Sequence, residues 1–142
     1  MKISLASDHG GLALKNKIKQ YLANMGHQTV DFGTNTLDSC DYPDFARPAA
    51  LAVASGETDR GIVVCTTGIG VSIVANKVKG VRCALCFNVD MAEMTRHHNN
   101  ANVLALGQKY VDEQTALKIV DAFITTPFDG GRHQNRVNKI EG

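Results

Sequence analysis

Gly61-Ile62-Val63-Val64-Cys65-Thr66-Thr67-Gly68-Ile69-Gly70-Val71-Ser72-Ile73-Val74 is the stretch that decides the fold. An apolar run of strand length ends at Cys65, a glycine-rich turn follows, and apolar spacing resumes at Ile69, Ile73 and Val74 with helical period. Strand, tight turn and helix in that order are half of a strand–helix–strand unit. The turn also carries chemistry. The first N–H groups of a helix have no partner inside it and point back toward the preceding turn. Such a helix start favours negative charge on a phosphate, an enediolate oxygen or the Cys65 thiolate itself. A reactive cysteine beside an anion hole is the expectation.

Outward from this unit the alternation repeats. Lys2 to Ser7 reads as a strand, and Leu14, Ile18, Tyr21, Leu22 and Met25 follow at helical spacing, with Lys15 and Lys19 on the outer face and Gly26 as the stop. Gln28 to Phe32 is a second strand, ended by Gly33-Thr34-Asn35. Tyr42-Pro43 opens a helix that turns Phe45, Ala49 and Val53 inward and stops near Gly56. After the strand from Gly61 to Cys65, a helix is expected from about Gly68 to Lys79. A fourth strand follows from Val81 to Phe87, then a short helix begun by Asp90 with Glu93 three residues on, a capping-box pattern. Asn102 to Leu106 is a fifth strand, and Ala116, Ile119, Val120 and Phe123 mark a helix ended before Pro127.

Parallel strands need crossover connections, and helices so placed cover both faces of the sheet. The expected fold class is therefore α/β: a three-layer α/β/α, Rossmann-like five-stranded parallel sheet in a single domain over residues 1–142. Strand order stays open. The tail from Phe128 to Gly142 differs in kind, gathering Gly130, Gly131, Arg132, His133, Arg136 and Lys139 around only Val137 and Ile140. It reads as a basic element covering a site.

At 142 residues the chain is long enough for one domain with its own core. Fifteen Lys and Arg against fourteen Asp and Glu leave a formal charge of +1 with no charged block, which makes nucleic acid and anionic membranes poor partners. No apolar run approaches the roughly 20 residues of a membrane span, and Met1-Lys2-Ile3 leads straight into a strand, so a cytoplasmic protein is expected. Cys83 and Cys86 have the spacing of redox and zinc sites. On a strand, however, residues three apart point to opposite faces, so they read as two core thiols. Cys40, in the polar loop from Thr36 to Asp41, shows no partner.

Ligands of an open parallel sheet lie beyond the carboxyl ends of its strands. That filter selects Asp8-His9-Gly10-Gly11, the segment Cys65 to Ser72, and the residues after strands four and five. Convergence of Asp8, His9, Cys65 and Thr67 on one rim is the strongest constellation. Other motifs fail. Gly68-Ile69-Gly70-Val71-Ser72-Ile73 begins like a dinucleotide fingerprint but has Ile73 for the third glycine, and a cysteine phosphatase would need arginine where Val71 stands. There is no nucleotide-loop lysine, and no His, Cys and carboxylate group at a metal spacing, so no metal or cofactor is expected. Of His97-His98, adjacent on a helix, at most one should be functional. Arg132, His133 and Arg136 would read as a solvated face but for Gly130-Gly131, which lets the backbone turn sharply before them.

These pieces together resemble the ribose-5-phosphate isomerase type B family, which includes galactose-6-phosphate and allose-6-phosphate isomerases. The stretches are Ser7-Asp8-His9-Gly10-Gly11, Asp41-Tyr42-Pro43-Asp44, Gly61 to Lys77, Arg96 to Asn102, and Phe128 to His133 with Arg136, in the family's order. The resemblance implies a cofactor-free aldose–ketose isomerisation of a phosphorylated sugar through an enediolate, in the pentose phosphate pathway if the sugar is ribose 5-phosphate. It casts Cys65 as the base moving a proton between C1 and C2, and Thr67 as its hydroxyl partner. The amides of Gly68, Ile69, Gly70, Val71 and Ser72 become the enediolate hole, and His98 with Asp8 the pair that opens the sugar ring. His9, Arg132 and Arg136 match phosphate ligands, Lys109 stands where arginine is usual, and Asn99 helps hold the sugar hydroxyls. The resemblance further implies a homodimer, or a tetramer, in which residues 128–142 complete the neighbouring subunit's site. One position departs: Thr66 replaces a usual glycine beside the base, which bears on whether the sugar is ribose 5-phosphate, allose 6-phosphate, galactose 6-phosphate or a tetrose 4-phosphate. A noncatalytic sugar-phosphate sensor is the reading from another class.

Overall fold

The computed structural model describes residues 1–142. Its strands are β1 (Lys2–Ser7), β2 (Gln28–Asp31), β3 (Arg60–Cys65), β4 (Cys83–Leu85) and β5 (Val103–Gly107). Its helices are α1 (Leu12–Asn24), α2 (Pro43–Ser55), α3 (Ile69–Asn76), α4 (Val89–Asn99), α5 (Glu113–Thr125) and α6 (Arg132–Glu141), with a single 3-10 turn at His9–Gly11. All strand pairings are parallel, in the order β2-β1-β3-β5-β4. The expected fold is therefore the observed one.

Alternation along the three central strands builds two cores. Ile3, Leu5, Ile62, Val64, Leu104 and Leu106 face one way, onto α1 and α5 through Ile18, Leu22, Ile119 and Phe123. Ala6, Val63, Cys65, Val103 and Ala105 face the other way, onto α2 and α3 through Ala49, Val53, Val71 and Val74. The chain leaves β1 toward β2 on one side, then crosses back to β3 on the other. The sheet's switch point thus falls between β1 and β3, where a crevice opens beyond the strand ends. The register sets Ser7 against Val64 and Cys65 against Gly107, so Asp8 and Cys65 emerge side by side at that point.

Several expectations are corrected. Lys15, placed on the outer face by its charge, is fully buried; its Nζ donates to Asp31 Oδ1 at 2.7 Å and to Thr34 O at 2.5 Å. Lys19 does lie outside, 3.2 Å from Asp31 Oδ2. The fourth strand is confined to Cys83–Leu85, and α3 stops at Asn76, whose side chain bonds both N and O of Cys83 and so ties the helix end to the strand start. Asn88 rather than Asp90 caps α4, accepting from Met91 N at 2.8 Å; Asn is among the best N-cap residues, and Asp90 falls in the first turn. Cys83 and Cys86 do serve opposite cores, and burial pushes the Cys86 thiol up to about 11 and the Cys83 thiol higher still. No helix is long and apolar enough to cross a membrane.

Candidate active site

Beyond β1 and β3 lies a crevice of about 430 Å³ lined by Asp8, Cys65, Thr66 and Thr67, with Tyr42, Ile69, Gly70 and Ile73 completing it. The sequence makes this turn possible through glycine at a few close approaches. Gly68 has φ 77°, and a Cβ there would meet Leu85 Cδ1 at 2.6 Å and Gly107 N at 2.8 Å. A Cβ on Gly11 would meet Val64 O at 2.6 Å, so the turn after β1 lies directly over the end of β3. The peptide of Thr66 is held from the far side by Lys109 N, which donates to Thr66 O at 2.9 Å.

Cys65 is only 5% exposed, and Gly68 N–H donates to its sulfur at 3.1 Å, an arrangement that accommodates negative charge there. Ile69 N donates to Thr67 Oγ1 at 3.2 Å, and Ser72 N to Gly68 O at 3.2 Å. Those bonds divide the five amides expected to form the anion hole: the N–H groups of Gly70 and Val71 bond no other group of the chain and are the available pair. Asp8 accepts from Gly11 N at 3.1 Å, so it both caps the 3-10 turn and lines the crevice. His9 turns toward the loop before α2, where its Nδ1 accepts from Cys40 N at 3.3 Å. That bond leaves Nε2 as the protonated nitrogen of the neutral ring, a donor free for an anion. Tyr42 received no role from the sequence, yet its ring covers Gly70, which a Cβ would bring to within 2.6 Å of it. The signal available was its place immediately before Pro43 at a helix start.

The remaining candidates form a second group. Asn99 and His98 end α4, and α6, whose one buried residue is Val137, packs against that helix. Gly130 and Gly131, at φ 68° and 55°, turn the chain so that Asp129 Oδ1 meets His97 Nδ1 at 2.7 Å and His133 stacks on His98 with ring centroids 4.5 Å apart. Both neighbouring histidines are therefore engaged by the tail, His97 by Asp129 and His98 by His133. The fold also collects His98, Asp129 and His133 within 4.8 Å, a grouping that linear spacing concealed. Desolvation, His98 and the charges of Arg132 and Arg136 hold the His133 pKa below the ordinary imidazole value. Arg132 and Arg136, one turn apart and both exposed on one face of α6, add positive charge beside this group and suit an anion. No residue of α4 or α6 lines the Cys65 crevice of the same chain, so the tail does not cover that crevice as a basic lid.

An α/β enzyme for a small anionic substrate is the class this fold and site define. Comparison with known proteins narrows it. The family model described as Ribose/Galactose Isomerase matches residues 3–140. Ribose-5-phosphate isomerase B of Escherichia coli K12 is 45% identical over 139 residues, 98% of this chain and 93% of that one. Ribose-5-phosphate isomerase B of Clostridium thermocellum superposes with a TM-score of 0.98 at 54% identity, covering 99% of this chain and 95% of the other. The Mycoplasma genitalium enzyme, solved with bound ribulose-5-phosphate, gives 0.95 at 46% identity over 99% of this chain and 93% of its own. The chain therefore belongs to the ribose/galactose isomerase family. It is an enzyme, an aldose–ketose isomerase of sugar phosphates.

Proposed function

We propose that the chain interconverts ribose 5-phosphate and ribulose 5-phosphate without metal or cofactor, with Cys65 as the base. The observation carrying this reading is the Gly68 N–H at 3.1 Å from Cys65 Sγ beside the unbonded amides of Gly70 and Val71. In the aldose-to-ketose direction the thiolate takes the proton from C2, the same thiol returns it to C1, and the proton of the C2 hydroxyl passes to O1, leaving the ketone at C2; in the enediolate between, charge builds on the former carbonyl oxygen. Donors already aimed at that oxygen stabilise the transition state more than the substrate. Thr67 Oγ1 lies at the same turn as partner to the sugar oxygens, and Asp8 with His98 opens the ring. His9, Arg132, Arg136 and Lys109 take the phosphate, and Asn99 holds hydroxyls.

Because His98, Asn99, Arg132 and Arg136 sit apart from the crevice, a second copy of the chain supplies them, and the working unit is a homodimer. Ile69 and Ile73, apolar yet 47% and 55% exposed at the crevice rim, suit a face that another copy covers. Four free thiols suit a reducing cytoplasm. The test is turnover of four-, five- and six-carbon aldose phosphates under one set of conditions. Ribose 5-phosphate is expected to give the highest kcat/KM. A higher value for allose 6-phosphate or a tetrose 4-phosphate would transfer the assignment to that sugar, and binding without turnover of any would make the protein a sensor.

A further inference from the structure

Thr66 departs from the family pattern at the residue next to the base, and its side chain has a defined resting place. A Cβ built on Gly10 would collide with Thr66 Oγ1, would stand 3.3 Å from Thr66 Cβ, and would lie 3.4 Å from Asp8 Oδ1. The threonine hydroxyl thus occupies the space that any larger residue at position 10 would fill, on the Asp8 side of the crevice. Thr66 lines that crevice, is exposed, and its hydroxyl makes no hydrogen bond within the chain. Its backbone is not free to retreat, since Thr66 O and Cys65 O accept from Lys109 N at 2.9 Å and Gln108 N at 3.0 Å. Gly10 is equally confined, because its neighbour Gly11 lies against the backbone of Val64 and Cys65.

We infer that Gly10 and Thr66 form an interlocked pair that sets the width of the sugar end of the crevice and makes the enzyme select shorter sugar phosphates. The inference rests on the sugar-phosphate isomerase reading above. The two turns that meet here carry Asp8 and Cys65, so volume at their junction is felt where the reacting carbons lie. Threonine is branched at Cβ and stiff at χ1, so it fills that volume as a fixed wall. One position contributes the wall and the other must be empty to admit it.

Four variants test this: Thr66→Gly, Thr66→Val, Gly10→Ala and the double variant Gly10→Ala/Thr66→Gly, each assayed on ribose 5-phosphate and allose 6-phosphate. Thr66→Gly opens the wall, and the six- to five-carbon ratio of kcat/KM is expected to rise about tenfold, the scale of one added carbon in a shaped pocket. Thr66→Val keeps the shape and should hold the ratio within about twofold of the parent. In the double variant the new methyl group takes the place of the lost hydroxyl and should bring the ratio back, whereas Gly10→Ala alone displaces the threonine and lowers kcat/KM on both sugars. An unchanged ratio in Thr66→Gly, the same change in Thr66→Val, or no recovery in the double variant overturns the proposal. If the parent turns over neither sugar, the functional reading fails and melting temperature still reads the interlock. Gly10→Ala should lose about 3 °C or more to overpacking, the double variant should regain it, and strictly additive shifts overturn the pairing.

Discussion

Cys65 combines two properties that rarely meet: it belongs to the α2–α3 core and its sulfur accepts an N–H from the turn that follows. A buried thiol of that size behaves as a small apolar residue, so replacing it by alanine removes little packing. Cys65→Ala is expected to fold with a melting transition close to the parent's, to bind ribose 5-phosphate, and to lose turnover by about 10²- to 10⁴-fold, the usual contribution of a general base. Retention of more than about a tenth of the parent kcat would move the base elsewhere. This residue is legible in the sequence because a thiol between an apolar run and a glycine turn falls at a strand's carboxyl end and a helix start at once, the two places where a parallel sheet gathers its ligands. Lys15 is not, for an equally physical reason. Its spacing to Ile18 and Leu22 is that of the buried stripe of α1, but its charge points to the outer face, and its partner Asp31 lies on β2, which no local pattern can supply.

At the scale of elements, long and uniformly apolar strands announce themselves, while edges and caps do not. Val103–Gly107 is wholly buried and Cys83–Leu85 only half so, which is why β5 lies inside the sheet and the earlier β4 becomes its edge. Alternation alone carries no information on that inversion. The α1–β2 contact has its own consequence for acid stability. Partial burial raises the Asp31 carboxyl, but hydrogen bonds from Lys15 and Gly33 and the Lys15 charge outweigh it and hold the pKa below the ordinary value of 3.8. A carboxyl depressed in the folded state adds stability that is fully present above its unfolded pKa and is lost as pH falls through the folded one. Urea midpoints should therefore fall as pH drops below about 4, and Asp31→Asn should be less stable at neutral pH with a flatter profile in that window. Parallel profiles for the two proteins would show that other carboxyls carry the acid sensitivity.

For the whole molecule, the division of candidate residues into two groups is the property with the largest consequence. Asp8, Cys65, Thr67 and the α3 amides lie at the switch point, whereas His98, Asn99, Arg132 and Arg136 lie where α6 packs on α4, a juxtaposition between helices that linear spacing does not reveal. The glycine pair before Arg132 signals a turn, and the apolar Val137 signals one packed face, but the partner helix cannot be read from the tail itself. If two copies complete each other across a two-fold axis, every site takes its base from one chain and its phosphate arginines from the other. Arg136→Ala is then expected mainly to raise KM, since phosphate binding remote from the reacting carbons is largely uniform between ground and transition states. Mixing it with Cys65→Ala at equal amounts, with subunit exchange verified, makes half of the dimers hybrids. Each hybrid holds one site damaged twice and one site intact. At ribose 5-phosphate well below the KM of Arg136→Ala, the mixture should therefore reach about a quarter of the parent's activity, although neither variant alone approaches it. Activity no greater than the sum of the unmixed variants would place base and arginines of a working site in one chain, and α6 would then have to leave α4 to reach Cys65.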